Sequence, residues 1–342
     1  MEDSSNFVGL NHGNDEPTPI NPYLKPQAYP SYAPTDVMDM PTSFLWHAKQ
    51  DNTDQRVFDL PFDDIDIANG DAELRGYDIK QLIGMGGMSS VYLAVRQSDG
   101  MQVAIKTLKP KLLTDDIIID RFIQEYQIAK RVNHKNIVRL YEQQFQDDFA
   151  YIAMSYLPGA SLKSVLKNSI GPRQAVRYAL DLASALMGLH EAGIIHRDIK
   201  PGNFHFNQHH RLVLIDFGVS KQLKEDTGLT QHGAPVGTPL FMSPEQILGG
   251  EVDERTDLYS LGVILYKMLT GRYPFKAINA IDIMHEHACT APPYLPYKLL
   301  DLEKIVYKLL QKNPDDRYQS AELLYADLLN FQMASGKLIS NV

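Results

Sequence analysis

The chain is almost without cysteine: Cys289 is the only one in 342 residues. An intrachain disulfide and a cysteine-built zinc site are therefore excluded, and a reducing compartment fits. A long apolar run is also missing. The longest, about residues 258–269, is interrupted by Tyr259, Ser260 and Lys267 and is too short to cross a bilayer. The first six residues are acidic and polar, unlike a secretory signal with its basic start and apolar centre. There is no internal repeat. No block of basic residues points to nucleic acid. A soluble cytoplasmic protein is expected.

What is present is ordinary for a chain that buries a core: 44% hydrophobic and 22% charged residues. The net charge of −9 is unevenly placed. Residues 1–74 hold fourteen acidic and three basic residues, a net of −11, which leaves +2 for the remainder. The same segment holds eight of the twenty prolines and no sustained period. Such a composition cannot bury enough apolar surface to offset chain entropy, so residues 1–73 read as a disordered acidic tail. Two apolar islands, Phe44-Leu45-Trp46 and residues 57–67, interrupt it.

From Tyr77 the pattern changes. Residues 77–83, 90–96, 101–108, 137–145 and 150–156 read as strands, with one helix over 115–132. After Pro158-Gly159 the chain turns helical. Pro172 suits a first helical turn and Gly193 a helix end, and the residues between carry one apolar stripe. Further helices are expected at 258–270, 302–311 and 320–335. The fold class is α+β, a mainly antiparallel-β lobe followed by a mainly α lobe, with a ligand cleft between them.

Four clusters carry chemistry. Gly84-Met85-Gly86-Gly87-Met88-Ser89 lies between two strands, where glycines let backbone N–H groups approach phosphate oxygens. The strand that follows it, in place of a helix, argues against a dinucleotide fingerprint, and no Walker lysine follows. In Val103-Ala104-Ile105-Lys106 the lysine points away from the side taken by Ile105. Glu125, in the next helix, is its candidate partner. His196-Arg197-Asp198-Ile199-Lys200-Pro201-Gly202-Asn203 is a dense polar cluster between apolar flanks. Asp216-Phe217-Gly218 follows an apolar strand and offers a hard oxygen ligand for Mg²⁺.

In this order, with Ser243-Pro244-Glu245, Asp257 and Arg317 behind them, these motifs resemble those of the eukaryotic-type (Hanks-type) Ser/Thr protein kinases, most closely the bacterial branch. The resemblance covers roughly residues 74–331. It implies the two-lobed kinase fold over residues 74–333, with a short tail at 334–342. It also implies ATP as phosphoryl donor, with Mg²⁺ or Mn²⁺. Ile83 and the loop from Gly84 to Ser89 would cover the nucleotide. Val91 and Ala104 would sandwich the adenine, with Met154 behind it, His205 beneath it, and the backbone of Ser155, Tyr156 and Leu157 along its edge. Lys106, fixed by Glu125, would hold phosphates, and Asn203 and Asp216 would bind the metal. Asp198 would accept the proton of the substrate hydroxyl, and Lys200 would stabilise the transferring group.

Lys200 and the Gly237-Thr238-Pro239 turn imply Ser/Thr rather than Tyr acceptors. Glu245 and Arg317 are expected as a buried pair. Arg197 would hold a phosphate on the activation segment, and Thr230, eight residues before Thr238, is the expected phosphosite. Three positions depart from the family pattern: Ser89 for the third loop glycine, His205 under the adenine, and His232 where a second threonine is common. The alternatives are a nucleotide-binding pseudokinase scaffold and a small-molecule phosphotransferase. The presence of Lys106, Asp198, Asn203 and Asp216 together argues against the first, and the full activation segment against the second. The expected partners are Ser/Thr-containing protein substrates and a phosphothreonine-reading protein at the tail. No sensor domain or membrane anchor is evident, which leaves control to the tail, a partner or a homodimer through the small lobe.

Overall fold

The computed structural model describes residues 74–337, apart from residues 87, 109–111, 114, 147–148, 168–169 and 218–238. The acidic tail, Gly87, Thr230, His232 and Thr238 lie outside the described residues.

The small lobe is one antiparallel sheet of five strands: β1 (Tyr77–Met85), β2 (Ser89–Arg96), β3 (Gln102–Leu108), β4 (Leu140–Gln146) and β5 (Phe149–Ser155). Their order across the sheet is β1-β2-β3-β5-β4. Alternation along β3 sorts its side chains. Val103 and Ile105 are fully buried in an outer cluster with Leu74, Tyr77 and Tyr151. Ala104 and Lys106 take the opposite face, towards the cleft. Helix α1 (Asp116–Ala129) is inserted between β3 and β4 and starts at Asp115, whose carboxylate accepts the Ile117 and Ile118 amides.

The strand expected from residue 137 begins only at Leu140. The preceding residues pair with the large lobe instead. The Asn136 side chain donates to the Leu212 carbonyl at 2.7 Å, the Leu214 amide donates to Asn136 O, and the Val138 amide donates to Leu214 O. Backbone polarity that cannot be left unpaired thus stitches the two lobes together behind the cleft.

After β5 the chain passes β6 (Phe204–Phe206) so closely at Gly159 that a Cβ there would overlap the Phe206 carbonyl. Only glycine allows that crossing. The large lobe then builds α2 (Leu162–Val165), α3 (Pro172–Glu191), the β6–β7 hairpin with β7 at Leu212–Leu214, α4 (Pro244–Leu248) and α5 (Glu254–Thr270). Helices α6 (Ala280–Cys289), α7 (Leu300–Leu309) and α8 (Ala321–Lys337) complete it. The stripe Ala175, Ala179, Leu182, Ala183, Leu186 and Leu189 is wholly buried on α3. Helix α5 begins before the apolar run at 258 because Asp253 caps it and its first turn is polar, with Thr256 and Asp257 buried. Helix α6 buries only His287 and Ala288, so no stripe marks it in the sequence. None of the described helices is long and apolar enough to cross a membrane.

Glu245 of α4 and Arg317 form a buried two-pronged ion pair, with N–O distances of 2.8 and 2.7 Å. Thr256 adds a hydroxyl bond to Glu245 at 2.6 Å, and the remaining Arg317 donors reach the carbonyls of Arg255, Gln311 and Lys312. Burial works to raise the Glu245 pKa, but the bonds from Arg317 and Thr256 outweigh it and hold the carboxyl below its ordinary value. A carboxyl more acidic in the folded than in the unfolded chain stabilises the fold above the unfolded value, about 4.3, and loses that contribution as pH falls further. Glu245→Gln should therefore cost about 3–5 kcal/mol at pH 7 by urea unfolding. The gap from wild type should narrow as the pH is lowered from about 5 to about 3.

Candidate active site

Groups from both lobes meet in the cleft. From β3, the Lys106 ammonium donates to Glu125 of α1 at 2.6 Å and stands 3.8 Å from the Asp216 carboxylate, just beyond β7. Burial disfavours the ammonium, but the charges of Glu125 and Asp216 overcome this and hold its pKa above the ordinary lysine value. Burial likewise works to raise the Asp216 pKa. Lys106, His196 and Lys200 outweigh that and keep its carboxyl more acidic than usual.

The loop from His196 to Asn203 forms the floor. Asp257, fully buried on α5, accepts the His196 amide at 2.9 Å, the Arg197 amide at 2.8 Å and a bond from the His190 ring at 3.0 Å. The His196 ring bonds the Asp216 carbonyl. Arg197 is held at φ 64°, a left-handed conformation unusual for a residue with a side chain, and Gln246 of α4 donates to its carbonyl at 2.9 Å. From this fixed turn Asp198 and Lys200 emerge 2.6 Å apart. The Asn203 amide nitrogen donates to the Asp198 carbonyl at 3.0 Å, which orients the amide and leaves its oxygen as an acceptor.

At the roof, Gly84 pairs with Val91 and Met85 with Ser90, and the Gly86 amide donates to Ser89 O. A Cβ on Gly84 would meet Val91 at 3.6 Å and one on Gly86 would meet Ser89 O at 3.5 Å. The fold itself has room for side chains there, so the two glycines leave an opening that the packing does not require. Ile83, Met85 and Met88 are exposed. Ala104 and Met154 are register partners on neighbouring strands and both are buried. Val91 is half-buried, as are Ser155, Tyr156 and Leu157 at the end of β5 and beyond it. His205, half-buried in β6, has its imidazole pushed below the usual value by burial, offset in part by a bond to the Gly159 backbone.

Asp216 and Asn203 present two hard oxygen ligands, and the Asp216 side chain is 44% exposed towards the cleft. Among the described residues no three His, Cys, Asp or Glu side chains are gathered to hold a metal alone. The donor set fits a Mg²⁺ ion that takes its other ligands from phosphate and water.

The family model for the protein kinase domain matches residues 77–329. The chain belongs to the protein kinase domain family. It is 36% identical over 263 residues to the serine/threonine-protein kinase PknB of Mycobacterium leprae (strain TN), an alignment covering 74% of this chain and 42% of that protein. PknB of Mycolicibacterium smegmatis (strain ATCC 700084 / mc(2)155) is 37% identical over 265 residues, with the same two shares. The serine/threonine-protein kinase pkn3 of Myxococcus xanthus is 36% identical over 268 residues, 74% of this chain and 49% of that protein. The chain spans under half the length of these relatives.

Reading the sequence missed the grip on this kinase domain's central loop. In the sequence the resemblance marks Asp257 without a task and Gln246 only as the end of the run Met-Ser-Pro-Glu-Gln, while His190 and Thr256 belong to no motif. The only signal at His190 and Thr256 is a polar residue in a helix that is otherwise largely buried and apolar. Asp257→Ala should leave two loop amides without an acceptor, at about 1–3 kcal/mol each. Urea unfolding should rank wild type above Asp257→Asn and that above Asp257→Ala, because asparagine keeps one accepting oxygen.

Proposed function

We propose that this chain is an ATP-dependent serine/threonine protein kinase that transfers the γ-phosphoryl group to protein hydroxyls. The observation that carries the reading is the meeting of Lys106, Glu125 and Asp216 above the rigidly held Asp198–Lys200 pair. Phosphoryl transfer asks for positioning and charge neutralisation more than for covalent help, and this array supplies both.

Lys106 binds the α and β phosphates, and Glu125 fixes its ammonium in place. The loop amides from Gly84 to Ser89 lie over the phosphates, in the space that the glycines leave open. Ile83, Val91, Ala104 and Met154 enclose the adenine, with His205 below. Asp216 and Asn203 hold the divalent cation, whose chemistry is to neutralise phosphate charge. Asp198 orients the acceptor hydroxyl and takes its proton. Lys200 neutralises charge on the group in transfer. Thr238, which the family resemblance sets beside Asp198 and Lys200, restricts acceptors to serine and threonine. The PknB and pkn3 names describe serine/threonine-protein kinases, which supports the same acceptor class here.

Asp198→Asn should lower peptide phosphorylation by about 10² or more, with nucleotide affinity little changed, since it removes the proton acceptor and not the phosphate-binding groups. Peptide kinase rates and nucleotide titration check this together. A rate near wild type would remove the assignment.

Thr230 is the proposed activating site. A phosphate there adds about −1.5 to −2 charges and orders its segment through charge-assisted bonds to Arg197. Autophosphorylation followed by site mapping should find phosphate on Thr230. Thr230→Ala should reduce activity on an exogenous substrate about tenfold or more, the scale of one or two such bonds. Undiminished activity would show that the segment is ordered in another way.

A further inference from the structure

Beside the turn at Pro201 lies a recess whose charge the phosphoryl-transfer groups do not explain. It has a volume of about 410 Å³, and its walls include Lys163 and Lys167 of α2 and the segment after it, Lys267 at the end of α5, and Ser161, Pro201 and Tyr273. Among the described residues no acidic side chain lines it, and none is paired with any of the three ammonium groups. Lys267 is already oriented: its ammonium donates to the Gly271 carbonyl at 2.6 Å and stands 4.9 Å from the Tyr273 ring centre. Lys163 and Lys167 are exposed. Like charges gathered round one concavity repel, and a ligand of opposite sign relieves that cost.

The position of the recess limits what that ligand is. Pro201 directly follows Lys200 and is three residues from Asp198, at most about 11 Å of chain. An extended polypeptide covers that distance in about three residues.

We propose that this recess binds carboxylate side chains two or three residues away from the phosphoacceptor, so that the protein selects acidic substrate sequences. The proposal rests on the kinase reading above. The chain's own amino-terminal segment contains sequences of this kind. Asp15 and Glu16 stand three and two residues before Thr18, Asp39 three before Thr42, and Asp51 two before Thr53.

The test measures kcat/KM on a peptide copying residues 48–58 and on three variants of it. One carries Asp51→Asn, one carries arginine in its place, and one carries phosphoserine in its place. The full-length protein should prefer the acidic peptide to the neutral one by about threefold, the scale of one partly exposed ion pair, and through KM rather than kcat. The phosphoserine peptide should share the preference. Lys267→Glu should reverse the order, with the arginine peptide ahead. The double variant Lys163→Glu/Lys167→Glu, confined to exposed side chains, should shift the ratio the same way. Equal kcat/KM for all four peptides would overturn this proposal alone. So would a preference restricted to phosphoserine, or an acidic preference that survives in both variants. Phosphorylation of none of them would overturn the kinase reading and this proposal with it.

Discussion

The Lys106 ammonium is the point at which the two lobes become one site. It is a charge largely removed from water, and it is tolerable there only because Glu125 and Asp216 surround it. Each of those carboxylates depends on a different part of the fold. Glu125 requires α1 to be capped at Asp115 and laid against the sheet. Asp216 requires β7 to end where it does, and β7 is pinned by its backbone bonds with residues 136–138. The alternation of β3, which buries Ile105 on one face, is what turns Lys106 to the other.

A second buried charge organises the floor. Asp257 sits inside the large lobe with no exposure and spends its oxygens on the amides of His196 and Arg197 and on the His190 ring. The strained backbone of Arg197 is held from both sides, by Asp257 below and by Gln246 at its carbonyl. Helix α4, which supplies Gln246, is in turn fixed through Glu245 to Arg317 and Thr256. The apolar interior gives this lobe its bulk. The buried polar network gives the Asp198–Asn203 loop its shape, since each of these groups is costly to leave unpaired.

Much of this was legible in the sequence. The small sheet, its inserted helix and the apolar stripe of α3 follow from period and turn residues. The site residues come in motif order, so which residue types meet could be read before their geometry was known. The strand boundary at Leu140 was not legible, because Ile137 and Val138 are as apolar as a strand needs. Their bonding partner is Leu214, distant in sequence. Helix α6 was missed because it buries too little to leave a stripe. The first turn of α5 was missed because its buried residues are polar. Lys163, Lys167 and Lys267 are scattered in the sequence and belong to none of its motifs. Only the packing of the large lobe brings them round one recess.

The proposed transfer of a phosphoryl group from ATP to a protein hydroxyl rests on this array of groups. The most direct measurement is incubation of the purified chain with γ-labelled ATP and Mg²⁺, followed by acid hydrolysis and phosphoamino-acid analysis, beside Lys106→Met. Labelled phosphothreonine or phosphoserine is expected in the wild type, with no phosphotyrosine, and almost none of the label in the variant. Equal labelling of the two proteins, or ATP bound by the wild type with no label reaching protein, would contradict it.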